Sequence, residues 1–197
     1  MTPDSAADLD AAIACLADGL RPAATEDWTT APGTGELDAW RTAEHIGDCL
    51  LSYAAQVVSR RLSGYVPFLA TLEKDASSAE ALEFALTGSA ILSAVVRSAS
   101  PEARAYHPTG TADPAGFAAM GCAEVLVHGE DLARGLGLAL DPPREVCART
   151  VSRLFPHLDD VSDLDPWTAL RWAMDRVEVP GRLKQTGWRW HGAPLDG

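Results

Sequence analysis

Long stretches with a helical spacing of apolar residues, separated by loops rich in Gly and Pro, constrain this chain toward a helical fold. Ser77 and Glu80 form a capping-box pair at the start of one stretch, and Asp113 and Pro114 supply the N-cap and first turn of another. Four helices of this length with connecting loops are typical of a four-helix bundle. The stretches predicted to be helical cover, approximately, residues 9–20, 37–63, 77–98 and 113–137.

The last third of the chain follows a different pattern. A helix ending near Phe155 and a short helix starting at Asp165 are predicted there. Residues 177–190 alternate loosely around proline and glycine, which favours a β-hairpin covering one end of the bundle. The predicted fold is therefore mainly α, a four-helix bundle with a short C-terminal α/β extension, and the predicted boundaries are 1–140 and 141–197.

The charge balance limits the partners of this chain. Its formal net charge is −12, which argues against nucleic acid or anionic membranes as main partners. No stretch approaches the roughly 20 apolar residues of a membrane span, and the N-terminus lacks the features of a secretory signal. The four cysteines are far apart and form no C-x-x-C pair. These features predict a cytoplasmic protein with reduced thiols.

The segment around residues 124–131 contains the strongest candidates for functional residues. At about 100° per helical residue, Glu124, His128 and Asp131 fall within about 60° of one another and share one stripe. Apolar side chains flank that stripe on both sides, so two carboxylates and an imidazole are expected in the middle of the apolar face. The flanking residues are Met120, Val125, Val127, Leu132 and Leu136.

Buried carboxylates need a partner, because an unpaired charge in an apolar interior is very unfavourable. A divalent metal would meet this need, since Glu124 and His128, one turn apart, can bind one ion and supply two of the three protein ligands of a catalytic zinc site. A buried Glu–His or Asp–His hydrogen-bonded pair without metal is the alternative. The spacing alone leaves both interpretations open.

A third ligand would have to come from another helix. His45 lies at the border between an apolar and a polar sector of the second helical stretch, and Cys49 follows it by one turn. Periodicity does not assign His45, and for Cys49 a core position is favoured. The polar sector, which is either solvated or lines a pocket, contains Arg41, Asp48, Ser52 and Gln56. Surface or packing roles are favoured for the other histidines, His107, His157 and His191.

Two segments carry a resemblance to a known family. They are residues 40–46, with His45, and residues 124–137, with the pattern Glu-x-x-x-His-x-x-Asp and a final Leu-Gly. Over about the first 140 residues the chain resembles the DinB-like metal-binding bundles, in particular the N-terminal domains of mycothiol-dependent maleylpyruvate isomerases. It differs from the isomerases in its C-terminal part, which is shorter than their second domain.

The resemblance implies a divalent metal, zinc in the first place, held by His45, Glu124 and His128 with one position open for water or a thiolate. Nickel is not distinguished from zinc by these ligand types. The implied thiol is mycothiol, and the implied reaction is S-transfer to, or isomerisation of, a small electrophile. Asp131 is expected to accept the free N–H of a ligand histidine. Only two of the 16 basic residues are lysines, which fits an actinobacterial source.

Two other classes of function remain open. A non-catalytic, metal-containing bundle could bind a metabolite or a protein partner, since a fold does not determine a function. A helical domain with a purely structural polar cluster would bind no metal. Motifs for serine hydrolases, phosphate-binding loops and H-E-x-x-H metalloproteases are missing from the sequence. A monomer or a homodimer is expected.

Overall fold

The chain folds into helices joined by irregular segments. The computed structural model describes residues 4–158 and 161–195, and six α-helices lie in these ranges. A short 3₁₀ turn, Arg21–Ala23, follows the first helix. The helices are α1 (Ser5–Leu20), α2 (Ala39–Ser59), α3 (Ser78–Ser98), α4 (Pro114–Gly135), α5 (Arg144–Leu154) and α6 (Pro166–Ala173).

Helices α1 to α4 form the four-helix core that the apolar spacing predicts. α2 packs against α3 and α4, and α1 packs against the same two helices from the other side. The predicted helix starts are confirmed, because Ser77 and Glu80 form a reciprocal capping box and the Asp113 carboxylate accepts from the Gly116 N–H. α4 is buried along most of its length. Polar groups on its inner face therefore sit at the centre of the bundle.

α2 and α3 approach closely at two glycines. A Cβ on Gly88 would lie 2.7 Å from the carbonyl oxygen of Gly47, and a Cβ on Gly47 would run into the Phe84 ring. Gly88 thus lets the two backbones touch, which a larger residue would prevent. This contact fixes the position of α2, which carries His45 and Cys49.

α2 ends four residues earlier than the apolar pattern predicts. Arg60 adopts a left-handed conformation with φ of 52°, and its N–H closes the last turn on the Gln56 carbonyl. The chain then leaves the helix axis as an irregular segment, residues 60–76. The predicted end at residue 63 missed this local turn.

The predicted β-hairpin over residues 177–190 is wrong. The described part of the chain contains isolated bridges but no strand, so the C-terminal extension is not α/β. Within residues 177–190 Arg182 N closes a local turn on the Val179 carbonyl at 3.0 Å, and just beyond them His191 N donates to the Leu154 carbonyl of α5 at 2.7 Å and Gly192 N to the Thr109 carbonyl at 3.2 Å. Pro180, which has no N–H, weakens a ladder further. The division at residue 140 stays a prediction.

α3 qualifies the expectation that no segment approaches a membrane span. Its 21 residues include an 18-residue window with a mean hydropathy of 1.5. By length and composition alone, the helix is long and apolar enough to cross a membrane. A core helix of a soluble bundle meets the same criterion, and Ala81, Ala85 and Leu92 of α3 are fully buried against other helices.

The α2–α3 contact predicts an unusual response to substitution. Gly→Ala inside a helix ordinarily stabilises by about 1 kcal/mol. Gly88→Ala should instead lower the free energy of unfolding by about 2 kcal/mol, because the new methyl meets backbone that cannot move aside. Denaturant unfolding would measure this, with the exposed Thr87→Ala on the same helix as control. An unchanged or higher stability of Gly88→Ala would contradict the close contact.

Candidate metal centre

α4 places Glu124 and His128 on one face, as the helical spacing predicts. The two side chains are one turn apart, and His128 Nε2 lies 2.8 Å from Glu124 Oε2. Both are largely buried, with 10% of the Glu124 side chain and 12% of the His128 side chain exposed. An acid and an imidazole thus meet inside the bundle.

The two oxygens of Glu124 have different partners. Oε1 accepts a hydrogen bond of 3.1 Å from the Tyr53 hydroxyl. Oε2 faces His128 and also lies 3.9 Å from His45 Nε2. Because Tyr53 holds Oε1, the other oxygen is left to face the imidazoles of His128 and His45 between α4 and α2.

α2 contributes His45 and Cys49 to the same point. The His45 and His128 rings meet edge to face with centroids 5.0 Å apart. Cys49 Sγ lies 3.7 Å from both ring nitrogens of His45, and the ligand atoms of His45, Cys49 and Glu124 all fall within 4.8 Å of one another. Cys49 is therefore part of the cluster. The one-turn spacing after His45 was the signal for it.

The residues fit a divalent ion. Donor atoms bound to a tetrahedral zinc at about 2.0–2.1 Å lie about 3.3 Å from one another. The distances from Glu124 Oε2 to the two imidazole nitrogens, 2.8 and 3.9 Å, lie on either side of that value. Small side-chain rotations would equalise them. Imidazole, carboxylate and thiol groups are also the donor types that zinc prefers.

The electrostatics of the cluster favour a positive charge at its centre. Burial alone would raise the pKa of Glu124, but the hydrogen bond and charge of His128 and the charge of His45 outweigh it, and the pKa is lowered. Burial would likewise lower the pKa of His128, yet the carboxylates of Asp131 and Glu124 raise it to about 9. Without another cation, a proton held between Glu124 and His128 supplies the charge.

Asp131 reaches His128 through a residue that the sequence did not single out. Asp131 Oδ2 lies 3.7 Å from His128 Nδ1, which is too far for a hydrogen bond. Thr34 Oγ1 sits between them, 2.7 Å from Asp131 Oδ2 and 2.8 Å from His128 Nδ1. Thr34 lies in a loop with several threonines, and no local signal distinguishes it from the others.

Asp131 itself is deeply buried and strongly paired. It accepts from Arg134 at 2.7 Å and from Arg176, which follows α6, at 2.8 Å. Burial would raise its pKa, but the neighbouring imidazole, the Thr34 hydroxyl and Arg176 lower it to about 2. Asp131 is therefore a fixed negative charge beside His128.

The polar sector of α2, which was predicted to be solvated or to line a pocket, makes several different contacts. Its residues are Arg41, Asp48, Ser52 and Gln56. Asp48 Oδ1 accepts from Ala70 N, and Gln56 bonds to the backbone of Gly64, Val66 and Tyr106. These bonds hold residues 64–70 against α2. The other two, Arg41, paired with Glu44, and Ser52, which is half-buried, lie on the same helix. Ligand binding by these four residues stays a prediction.

Aromatic rings cover one side of the cluster. Tyr53, whose hydroxyl bonds to Glu124, has its ring centroid 5.9 Å from that of His107. The ring centroid of Trp190, from the C-terminal segment, lies 5.8 Å from that of His107. The Phe117 ring contacts both, with its centroid 5.7 Å from that of Tyr53 and 6.3 Å from that of His107. His107 is thus a packing residue, as expected. His157 is exposed and His191 is half-buried.

A cavity elsewhere on the molecule is a weaker candidate for a functional site. A cavity of about 250 Å³ lies between α1, α4 and α5 and contains Arg149 and Arg153. Arg149 pairs with Asp8 at 2.7 Å and Arg153 with Asp113 at 2.8 Å, so neither cation is free for a ligand. The cluster between α2 and α4 is the stronger candidate.

Comparison of the chain with protein-family models, curated proteins and solved structures gives no match. The assignment of the site therefore rests on its geometry.

The burial of His107 predicts a loss of stability in acid. Desolvation lowers the pKa of His107 to about 4 from an ordinary value near 6.5. Between these values the unfolded chain binds a proton that the folded chain does not, so stability falls as the pH drops from 6.5 through 4. For His107→Phe, the difference between the unfolding free energies at pH 7 and pH 5 should shrink by about 1–2 kcal/mol.

Urea unfolding at the two pH values would measure this change. The exposed His157→Gln is the control, and its acid sensitivity should equal that of the parent protein. An equal acid sensitivity in His107→Phe would mean that His107 is not held neutral by burial.

Proposed function

We propose that the protein is a zinc-dependent enzyme of small-thiol chemistry, with the metal held by His45, Glu124 and His128. The observation that carries the proposal is that Glu124 Oε2, which is largely buried, lies 2.8 Å from His128 Nε2 and 3.9 Å from His45 Nε2. The geometry of the cluster supports metal binding. Thiol chemistry is proposed from the resemblance of the two helical segments that supply these ligands.

The exposure of the three side chains supports an open coordination position. His45 is 40% exposed, whereas Glu124 and His128 are enclosed. An ion between them would be held from the protein side by Glu124 and His128 and reached from solvent past His45. Three protein ligands with one accessible position are typical of catalytic rather than structural zinc sites.

A bound zinc ion would lower the pKa of a coordinated thiol and so supply a thiolate near neutral pH. Glu124 is oriented for its part by the Tyr53 hydroxyl, and the Tyr53 ring packs edge to face against His107. The thiolate sulfur would form a bond to an electrophilic carbon. In S-transfer a leaving group departs with the electron pair, and in isomerisation the sulfur is expelled again after rotation about the former double bond.

The net charge of the whole chain favours a small-molecule substrate over nucleic acid or membranes. The net charge of −12 disfavours nucleic acid and anionic membranes, and we propose a cytoplasmic location with mycothiol as the thiol. The free state of all four cysteines agrees with a reducing compartment.

Cys49 favours a second candidate function. Its sulfur lies within reach of the same point as His45 and Glu124. With Cys49 bound, four protein ligands would enclose the ion, which is typical of structural zinc sites. The protein would then be a metal-containing bundle that binds a metabolite or a protein partner without catalysis.

Metal content separates these possibilities. Protein purified without an affinity tag should contain about one zinc per chain, and His128→Ala should lose most of it because two ligands from different helices bind weakly. Elemental analysis would measure this, with His157→Ala as the matched histidine control. Parent protein without metal, even after incubation with zinc, would refute both metal-dependent functions.

Cobalt substitution distinguishes the open site from the closed one. A sulfur ligand gives cobalt(II) an intense near-ultraviolet charge-transfer band. The open site predicts that this band is weak in the parent protein and appears on addition of a small thiol, both in the parent and in Cys49→Ser. A strong band in the parent that Cys49→Ser abolishes would favour the closed, non-catalytic site.

Catalysis is tested by consumption of substrate. Zinc-loaded protein should accelerate the disappearance of mycothiol in the presence of an electrophile such as an activated alkene, and Glu124→Gln should reduce that rate at least tenfold. Metal binding without any acceleration over a panel of electrophiles would leave the non-catalytic bundle as the better description.

A further inference from the structure

The hydroxyl of Thr34 occupies a position between a carboxylate and an imidazole. Its oxygen is 2.7 Å from Asp131 Oδ2 and 2.8 Å from His128 Nδ1. A hydroxyl group has one proton to donate and lone pairs that accept. Which neighbour receives the proton decides the state of the His128 ring.

Asp131 is the neighbour that receives it. Arg134 and Arg176 both donate to this carboxylate, and the carboxylate oxygens have no proton of their own to give. The Thr34 hydroxyl must therefore point at Oδ2. Its lone pair is left facing His128, and only an N–H at Nδ1 satisfies a contact of 2.8 Å.

We infer that Thr34 is a positioning residue that keeps the proton of His128 on Nδ1 and so reserves Nε2 for the metal. The inference rests on the proposed metal site and adds a residue that selects the binding nitrogen. Nε2 is the atom that faces Glu124 Oε2. Zinc-bound histidines are commonly oriented through the ring nitrogen that does not bind the metal.

The loop around Thr34 holds it rigidly enough for this role. Thr34 N donates to Thr42 Oγ1 of α2 at 2.9 Å, and Leu37 N donates back to the Thr34 carbonyl at 3.0 Å. A Cβ at Gly33 would strike Thr42 and the Asp38 carbonyl, so the turn fits glycine closely. The loop is thereby anchored to the start of α2 while its threonine reaches α4.

The contact of Arg176 adds support from a distant part of the chain. Arg176 lies beyond α6, and its guanidinium shares Asp131 Oδ2 with the Thr34 hydroxyl. Three separate segments, the loop before α2, the end of α4 and the chain after α6, therefore meet at one carboxylate beside the metal cluster. These contacts hold the Asp131 carboxylate, and with it the Thr34 hydroxyl, in one position beside His128.

Zinc affinity tests the inference. Thr34→Val removes the hydroxyl and keeps the shape of the side chain, and it should weaken zinc binding 10–100-fold, as is usual for the loss of a partner of a ligand histidine. Thr34→Ser keeps the hydroxyl and should stay within about threefold of the parent. Thr30→Val, an exposed threonine of the same loop, is the control and should bind as the parent does.

Competition with a chromophoric zinc chelator measures these affinities, and thermal unfolding of the metal-free variants checks that folding is retained. Parent-like affinity of Thr34→Val would overturn the inference. So would an equal loss in Thr34→Ser, because the effect would then follow the change of side chain and not the hydroxyl.

A metal-free measurement separates this inference from the proposed function. Glu124→Gln removes the carboxylate at Nε2, and long-range proton–nitrogen NMR spectra of the His128 ring in its neutral form then report the tautomer directly. We expect the proton on Nδ1, and a shift toward Nε2 when Thr34→Val is added. A proton on Nε2 in Glu124→Gln would refute the role of Thr34. Failure of the parent to bind zinc would refute the proposed function and leave the tautomer to be decided by this spectrum.

Discussion

Two buried carboxylates on one helix govern the structure around them. Glu124 and Asp131 both lie on the inner face of α4, where a bare charge is strongly unfavourable. The chain compensates the two in different ways. Asp131 receives two guanidinium groups, whose charge does not change over the physiological pH range. Glu124 receives imidazoles and a phenol, and its positive partner is a proton, which a metal ion can replace. A permanent ion pair thus lies beside an exchangeable one.

The helices themselves can be predicted from local signals in the sequence. The capping box at Ser77, the Asp113–Pro114 start and the apolar spacing predict four helices close to their observed bounds. The same spacing places Glu124 and His128 on one stripe, because 3.6 residues per turn apply wherever the helix packs. His45 could be proposed only by resemblance, since its sector borders both apolar and polar residues.

The remaining parts of the site depend on contacts between distant segments. Thr34 reaches Asp131 and His128 because α4 ends beside its loop, and its neighbours Thr29 and Thr30 look equivalent in the sequence. Cys49 looked like a small core residue until the packing of α4 on α2 placed Glu124 beside Cys49 and His45. The C-terminal hairpin was predicted from weak alternation, but the described backbone there forms a local turn at Arg182, and the residues just after it, His191 and Gly192, bond to Leu154 and Thr109. Such partners are chosen by packing, and no local pattern encodes them.

The position of Arg176 in the chain has a consequence for how the protein is made. All the proposed metal ligands precede residue 129, so a ribosome synthesises them well before Arg176, 45 residues after Asp131. During that interval Asp131 has only the guanidinium of Arg134, which is itself largely in solvent. The order of translation therefore separates assembly of the ligands from completion of the charge balance beside them. The second guanidinium beside Asp131 is thus added only after all four core helices have been synthesised.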